Sequence, residues 1–175
     1  SSFPDNEIGK KATSFLNSHG VKVNANIDHS RLGKYLAIPG TKNKPSKIIY
    51  DRKNSSFSKF KLNDKLINKT LKDCSYIIIS GITPPLSNVC YDNIFKLIEN
   101  AKNNDIKIVY DINYRKDLWS RNESKNFNLK ILKYIDILFT NSNTFNHVFD
   151  LKSKLKLKGF YNESEETLKN ILSVN

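Results

Sequence analysis

The chain contains no methionine, so the serine at position 1 is not a retained initiator. Its opening, SSFPDNEIGKK, reads as a loop that enters a helix in mid-fold, and a truncated chain is the expectation. Glycine is scarce and scattered: Gly9, Gly20, Gly33, Gly40, Gly81 and Gly159, no two close together. A glycine-lysine phosphate loop is therefore excluded within these residues, as is a nucleophile elbow. The two cysteines, Cys74 and Cys90, match neither a metal spacing nor a dense disulfide framework, and each is expected to pack as a small apolar residue. His19, His29 and His147 are scattered without a paired metal spacing, which suits surface or helix-end positions. No stretch has the length of a membrane span or the pattern of a signal peptide, and the reducing cytosol is the expected compartment.

Arginine is the most telling shortage. Of 29 lysines and arginines only four are arginine: Arg31, Arg52, Arg115 and Arg121. Lysine offers a point charge and arginine a planar fork of donors. A chain this committed to lysine keeps the fork where the fork is needed.

What is present describes a globular chain: 175 residues, 38% hydrophobic, 26% charged and 11% aromatic. The net charge of +12 raises nucleic acid or an anionic membrane as partners. Against both, the lysines spread along the whole sequence, and the aromatics sit in apolar runs rather than among the basic residues. A lysine-coated enzyme with an anionic substrate is the better reading, with no nucleic-acid or membrane partner.

Apolar spacing predicts a helix over residues 6–19, with Gly20 as its stop. Two short strands are expected over 34–39 and 47–52, joined by the turn-rich GTKNKPS. YIIISGI (76–82) is a continuous apolar run, the pattern of a parallel strand buried on both faces. A helix capped near Ser87 follows, its inner side carrying Val89, Ile94, Leu97 and Ile98. Then come a strand at 107–112, a helix at 122–134, a strand at 135–140 and a short helix at 143–149. NESEETLKNILS (162–173) reads as a terminal helix with acidic residues in its first turn. The alternation predicts an α/β layer with a parallel sheet, whose ligands bind beyond the carboxyl ends of the strands. Those ends carry SGITPP, DINYR and TNSNT.

Two groups of residues stand out. In a strand, Tyr50 and Arg52 project from one face and Asp51 from the other. A phenol beside a guanidinium suits a small polyhydroxylated acid, the fork taking the carboxylate through two charge-assisted bonds. Tyr35 joins them if the two short strands pair. The plainer alternative is an edge hairpin with one arginine in a surface ion pair. In DINYRKDLW, Asp111 and Asn113 lie at a strand end beside Arg115, a second isolated arginine. Trp119 either shields a site or closes the core.

RLGKYLAIPG, KPSKIIYDRKNSS, SGITPPLS and VYDINYRKDLWS occur in this order. Together they resemble the ribokinase-like (PfkB) carbohydrate kinases, and among these the 2-keto-3-deoxygluconate kinases in particular, from about residue 6 to 149. The resemblance implies a three-layer α/β/α sandwich with a small β lid. Residues 1–175 would be an incomplete kinase domain, with the lid strands within about 30–58. It implies phosphoryl transfer from ATP, with Mg²⁺, to a primary hydroxyl of 2-keto-3-deoxygluconate or a related sugar acid. Tyr35, Tyr50, Arg52, Ile82 and Arg115 would contact the substrate, and Asn113, Tyr114, Arg115 and Asn141 the nucleotide. A homo-oligomer would form through the lid.

The departures matter as much. The family's glycine-rich turn, with its anion hole and aspartate base, is missing and is expected beyond Asn175, and the family's first strands are expected before residue 1. No catalytic residue is then expected in this chain, and the chain alone would be inactive. NSNT (141–144) keeps Asn141 of the family's Asn-x-x-Glu but puts Thr144 in place of the glutamate tied to Mg²⁺. Two alternatives stay open: a degenerate, non-catalytic fragment or binding module, and another sugar specificity such as fructose or a nucleoside.

Overall fold

The computed structural model describes residues 1–150, so the helix expected over 162–173 lies outside the described residues. Contacts divide the chain into two units, residues 1–61 with 86–90, and residues 62–85 with those from 91 onward.

The first unit opens with a strand that the sequence does not announce. β1 (Ser2–Pro4) pairs in parallel with β2 (Asn26–Asp28), so the stretch expected to be a loop is already sheet. Between them α1 (Glu7–Ser18) follows the expected apolar spacing. Its cap is Asn6, whose Oδ1 accepts from the Gly9 amide at 3.0 Å. β3 (Lys34–Ile38) and β4 (Lys47–Asp51) form the expected antiparallel hairpin, Tyr35 opposite Tyr50 and Leu36 opposite Ile49. All ten strand residues are exposed. A short helix, α2 (Ser56–Lys59), is capped by Ser55, whose side chain accepts from the Ser58 amide. Beneath the hairpin's base, Ser56 Oγ donates to Asp28 Oδ1 at 2.6 Å, and the same oxygen accepts from the Ser30 amide at 2.8 Å.

The second unit holds the parallel layer. α3 (Asp64–Leu71) leads into β5 (Tyr76–Ser80). Then follow α4 (Asn88–Asn103), most of it in this unit, β6 (Lys107–Asp111), α5 (Arg121–Ile131), β7 (Ile137–Phe139) and α6 (Ser142–Phe149). The three strands are parallel in the order β5-β6-β7. One sheet face carries Ile79, Ile108 and Tyr110, buried in one core with Ile94 and Ile98 of α4 and Phe127 and Ile131 of α5. Trp119 belongs to that core too, its ring 5.4 Å from Phe127, so it closes the core.

The other face corrects the expectation of burial on both sides. Side chains alternate along a strand, and on this face Tyr76 is 57% exposed, Ile78 81% and Phe139 38%. Val109 of the central strand, on the same face, is only 9% exposed, so the face is open mainly along the outer strands. A continuous apolar run cannot say which of its two faces the rest of a chain will cover.

Asp136, just before β7, ties the amino ends of β6 and β7 to the last turn of α4. It accepts from Lys102 Nζ at 2.9 Å, Lys107 Nζ at 3.0 Å and the Ile108 amide at 2.8 Å. At the opposite end, a Cβ on Gly81 would lie 2.0 Å from the Ile112 carbonyl oxygen, so only glycine lets the chain leave β5 beside β6.

Candidate functional site

The residues singled out in the sequence lie in both units, and each group has its own local chemistry. In the hairpin, Tyr35 and Tyr50 face each other across the strand pair with ring centroids 6.2 Å apart. Arg52 follows the last residue of β4, and its guanidinium carbon lies 3.9 Å from the Tyr50 ring centroid. The two-residue spacing that put both on one face thus leads to a stack of cation on ring. Asp51, between them, points away and meets Arg31. Arg31 Nη1 donates to Asp51 Oδ2 at 3.0 Å, and Nη2 donates to Asp51 Oδ1. The same guanidinium also reaches the carbonyls of Asp51, at 3.3 Å, and of Lys53.

In the second unit the strand ends bound a cleft of about 530 Å³. Asn113, Tyr114 and Arg115 line it from the loop after β6, and Thr140, Asn141 and Thr144 from the start of α6. Phe139 and Ile78 form its apolar floor, and Asp111 is its one carboxylate. Asn113 adopts φ +36°, a left-handed conformation that asparagine tolerates better than most residues. Two bonds support it: its amide donates to Asp111 Oδ1 at 3.1 Å, and its Nδ2 to Ser80 Oγ at 3.3 Å. The turn carries the next two residues to the cleft. Tyr114 packs against the His147 ring, centroids 5.3 Å apart. Asn141 caps α6, its Oδ1 accepting from the Thr144 amide at 2.8 Å. Ile82, half-buried in the turn after β5, does not line the cleft.

The arginines sort into two kinds. Arg31 is committed to Asp51 and Arg121 to Asp150, whose Oδ1 accepts from Arg121 Nη1 at 2.9 Å. Among the described residues, Arg52 and Arg115 make no ion pair. Arg31 stands among the scarce arginines of the sequence, but its partner does not, because a bond across twenty residues leaves no local pattern.

The donor set at the cleft suits an anion: the exposed Arg115 guanidinium, the Thr144 hydroxyl and the amide end of α6, the Thr140 hydroxyl being given to the Asn141 carbonyl at 3.3 Å. It suits a metal poorly. Among the described residues no three His, Cys, Asp or Glu side chains gather to hold an ion, and Asp111 stands alone where Thr144 replaces the expected glutamate.

No family model matches the chain. It is 28% identical over 152 residues to a 2-dehydro-3-deoxygalactonokinase of Haloferax volcanii, across 86% of this chain and 48% of that protein. A PfkB family carbohydrate kinase from Listeria grayi superposes with a TM-score of 0.83 and 29% identity, over 99% of this chain and 52% of that one. A 2-dehydro-3-deoxygluconokinase from Thermotoga maritima gives 0.81 and 25%, over 99% and 51%. The chain spans about half the length of these proteins. It therefore has the ribokinase-like α/β fold, incomplete by comparison with them. Within that class it is similar to the PfkB carbohydrate kinases, and to those named for 2-keto-3-deoxy sugar acids.

Proposed function

We propose that the chain is the sugar-acid-holding part of a PfkB-type carbohydrate kinase. The whole protein would phosphorylate a 2-keto-3-deoxy-hexonate on its primary hydroxyl. The observation that carries this is the division of the arginines: two are committed to carboxylates of the chain, and the other two, Arg52 and Arg115, are unpaired beside candidate ligand groups. An unpaired guanidinium is a ready partner for an external carboxylate or phosphate.

In this reading Arg52 takes the sugar-acid carboxylate, with Tyr35 and Tyr50 offering phenols to its keto and hydroxyl oxygens, and Ile82 a further substrate contact. Arg115 meets the phosphoryl group as charge develops on it. Asn113, Tyr114 and Asn141 approach the nucleotide. Such a reaction relies mostly on positioning and charge stabilisation. ATP supplies the phosphoryl group. Mg²⁺ would have to be held mainly by phosphate oxygens and residues outside those described. The gluconate and galactonate forms are epimers that share the carboxylate and 2-keto group, and these are the features the Tyr-Arg pair would grip. The aspartate base is assigned to polypeptide outside this sequence, and the 175 residues alone are expected to be inactive. Association of two copies through the exposed hairpin and residence in the cytoplasm complete the proposal.

A second reading, a non-catalytic sugar-acid-binding remnant, is favoured by Thr144. The two separate on one comparison. Chemical shifts of the Arg52 and Arg115 side chains are followed while 2-keto-3-deoxygluconate, fructose and ATP are added in turn. The kinase reading expects the sugar acid to move Arg52, ATP to move Arg115 and fructose to move neither. A sugar acid that moves Arg52 with no response to ATP supports the remnant, and equal response to fructose overturns both.

A further inference from the structure

Arg52 needs more than a free charge to act as a fork. Its side chain has four rotatable bonds, and an arm that must be ordered at each encounter gives up entropy on binding. Two features of the hairpin bear on this. The Tyr50 ring lies under the guanidinium at 3.9 Å. Arg31 grips the backbone on both sides of Arg52, reaching the carbonyl oxygens of Asp51 and Lys53 as well as the Asp51 carboxylate. The residue directly before Arg52 is thus held through its side chain and its carbonyl, and the residue directly after it through its carbonyl.

Ordinary ion-pair energetics do not account for this arrangement. The Arg31 and Asp51 side chains are 38% and 49% exposed, and an ion pair so open to solvent adds little to stability. What a fork of this shape does is fix direction. Asp51 closes β4, and beyond it the chain reaches Asn54, at φ +55°, before α2 begins. Without the clamp, the peptide planes flanking Arg52 would turn with that loop, and the guanidinium would leave the Tyr50 ring.

We propose that Arg31 is a positioning residue for Arg52: by clamping Asp51 and the Lys53 carbonyl, it presets the Arg52 guanidinium against the Tyr50 ring in the orientation that receives a carboxylate. The inference deepens the sugar-acid reading and rests on it for the identity of the ligand, but the preset geometry is measurable without any ligand. Tyr50 then has two separable parts, a ring that seats Arg52 and a hydroxyl that faces the ligand.

The test is the ring-current shift of the Arg52 Hδ and Hε protons in the unliganded chain, with cross-strand contacts between Tyr35 and Tyr50 monitoring the hairpin. The expected result is an upfield shift in the natural sequence that Tyr50→Phe keeps and Tyr50→Leu abolishes. Arg31→Ala should lose most of it with the hairpin still paired, and Arg31→Lys should lose it partly, since an ammonium cannot span all the acceptors. Asp51→Asn, a milder change that leaves Arg31 its carbonyls, should reduce the shift less than Arg31→Ala. An unchanged shift in Arg31→Ala, or loss of hairpin pairing together with the shift in both Arg31→Ala and Asp51→Asn, overturns the proposal. Binding of 2-keto-3-deoxygluconate is then measured on the same proteins, and Arg31→Ala should weaken it by about tenfold with Arg52 intact. Equal affinity in Arg31→Ala and the natural sequence also overturns it. If the shifts behave as expected and no protein binds the sugar acid, the sugar-acid reading fails and the positioning stands.

Discussion

The guanidinium of Arg52 lies 3.9 Å over the ring of Tyr50, two residues back along the chain. The contact links a sequence pattern, Tyr-Asp-Arg at strand spacing, to a chemical capability. The ring supports the cation without neutralising it, so the fork remains available to a carboxylate from outside. Asp51, between them, is engaged by Arg31 on the other face and so cannot quench Arg52.

That division predicts unequal costs for removing arginines. Arg121→Ala removes one exposed ion pair with Asp150 and is expected to change stability by no more than about 0.5 kcal/mol. Arg52→Lys should leave stability within the same range while lowering affinity for a sugar acid about tenfold, because a point charge replaces a bidentate fork. Denaturant melts beside binding isotherms check both.

Neighbouring residues of β5 should respond in opposite ways. Ile79 is 4% exposed and packs in the core, whereas Ile78 is 81% exposed. Ile79→Ala is expected to cost about 2–4 kcal/mol. Ile78→Thr in this 175-residue chain should cost less than about 0.5 kcal/mol. Comparable losses at both sites, by urea denaturation, would mean that the open sheet face is covered in solution.

Gly81→Ala tests the exit from β5. A Cβ there would meet the Ile112 carbonyl oxygen at 2.0 Å and the Tyr110 hydroxyl at 2.9 Å. Because backbone must move to admit it, the expected loss is about 3 kcal/mol or more. A thermal melt within a degree or two of the natural sequence would show that the strand ends are looser than described.

Acid should weaken the second unit through Asp136. Partial burial works to raise the pKa of this carboxyl, but the Ile108 amide and the Lys102 and Lys107 ammonium groups outweigh it and bring the value to about 2. A depressed folded value means that the stabilisation is present above the unfolded value near 3.8 and is lost as pH falls from there through about 2. Asp136→Asn should cost about 1–2 kcal/mol at neutral pH, allowing for the solvent around it, and should flatten stability against pH below about 4. Unfolding free energies measured between pH 2 and 7 for both proteins provide the check.

Much of this architecture was legible in the sequence because local rules and tertiary packing agree. The apolar spacing from Ile8 to Leu16 set α1, and Asn6 capped it where a side-chain acceptor was needed. α3 carries a weaker signal of the same kind, with Asn63 as its cap and Leu66, Ile67 and Leu71 at helical spacing over only eight residues. β1 carries no local signal at all. Three residues ending in proline carry no period, and their partner lies beyond a whole helix.

The candidate site divides along the same line. Spacing alone put Tyr50 and Arg52 on one face, and strand ends pointed to DINYR and NSNT. The grip of Arg31 and the turn at Asn113 were not legible, since each depends on where the chain returns to itself. Burial on both faces fails for β5 and holds for β6, because an apolar run signals the capacity for burial on both sides and not its fulfilment.

The most direct test of the central claim is calorimetric titration of 2-keto-3-deoxygluconate into the 175-residue chain, run in parallel with its Arg52→Lys and Arg52→Ala variants and with fructose as the neutral sugar. Saturable binding of the sugar acid is expected, weaker by about tenfold in Arg52→Lys and weaker still in Arg52→Ala, with no binding of fructose. Sugar-acid binding of equal strength in all three proteins, or none in the natural sequence, would contradict it.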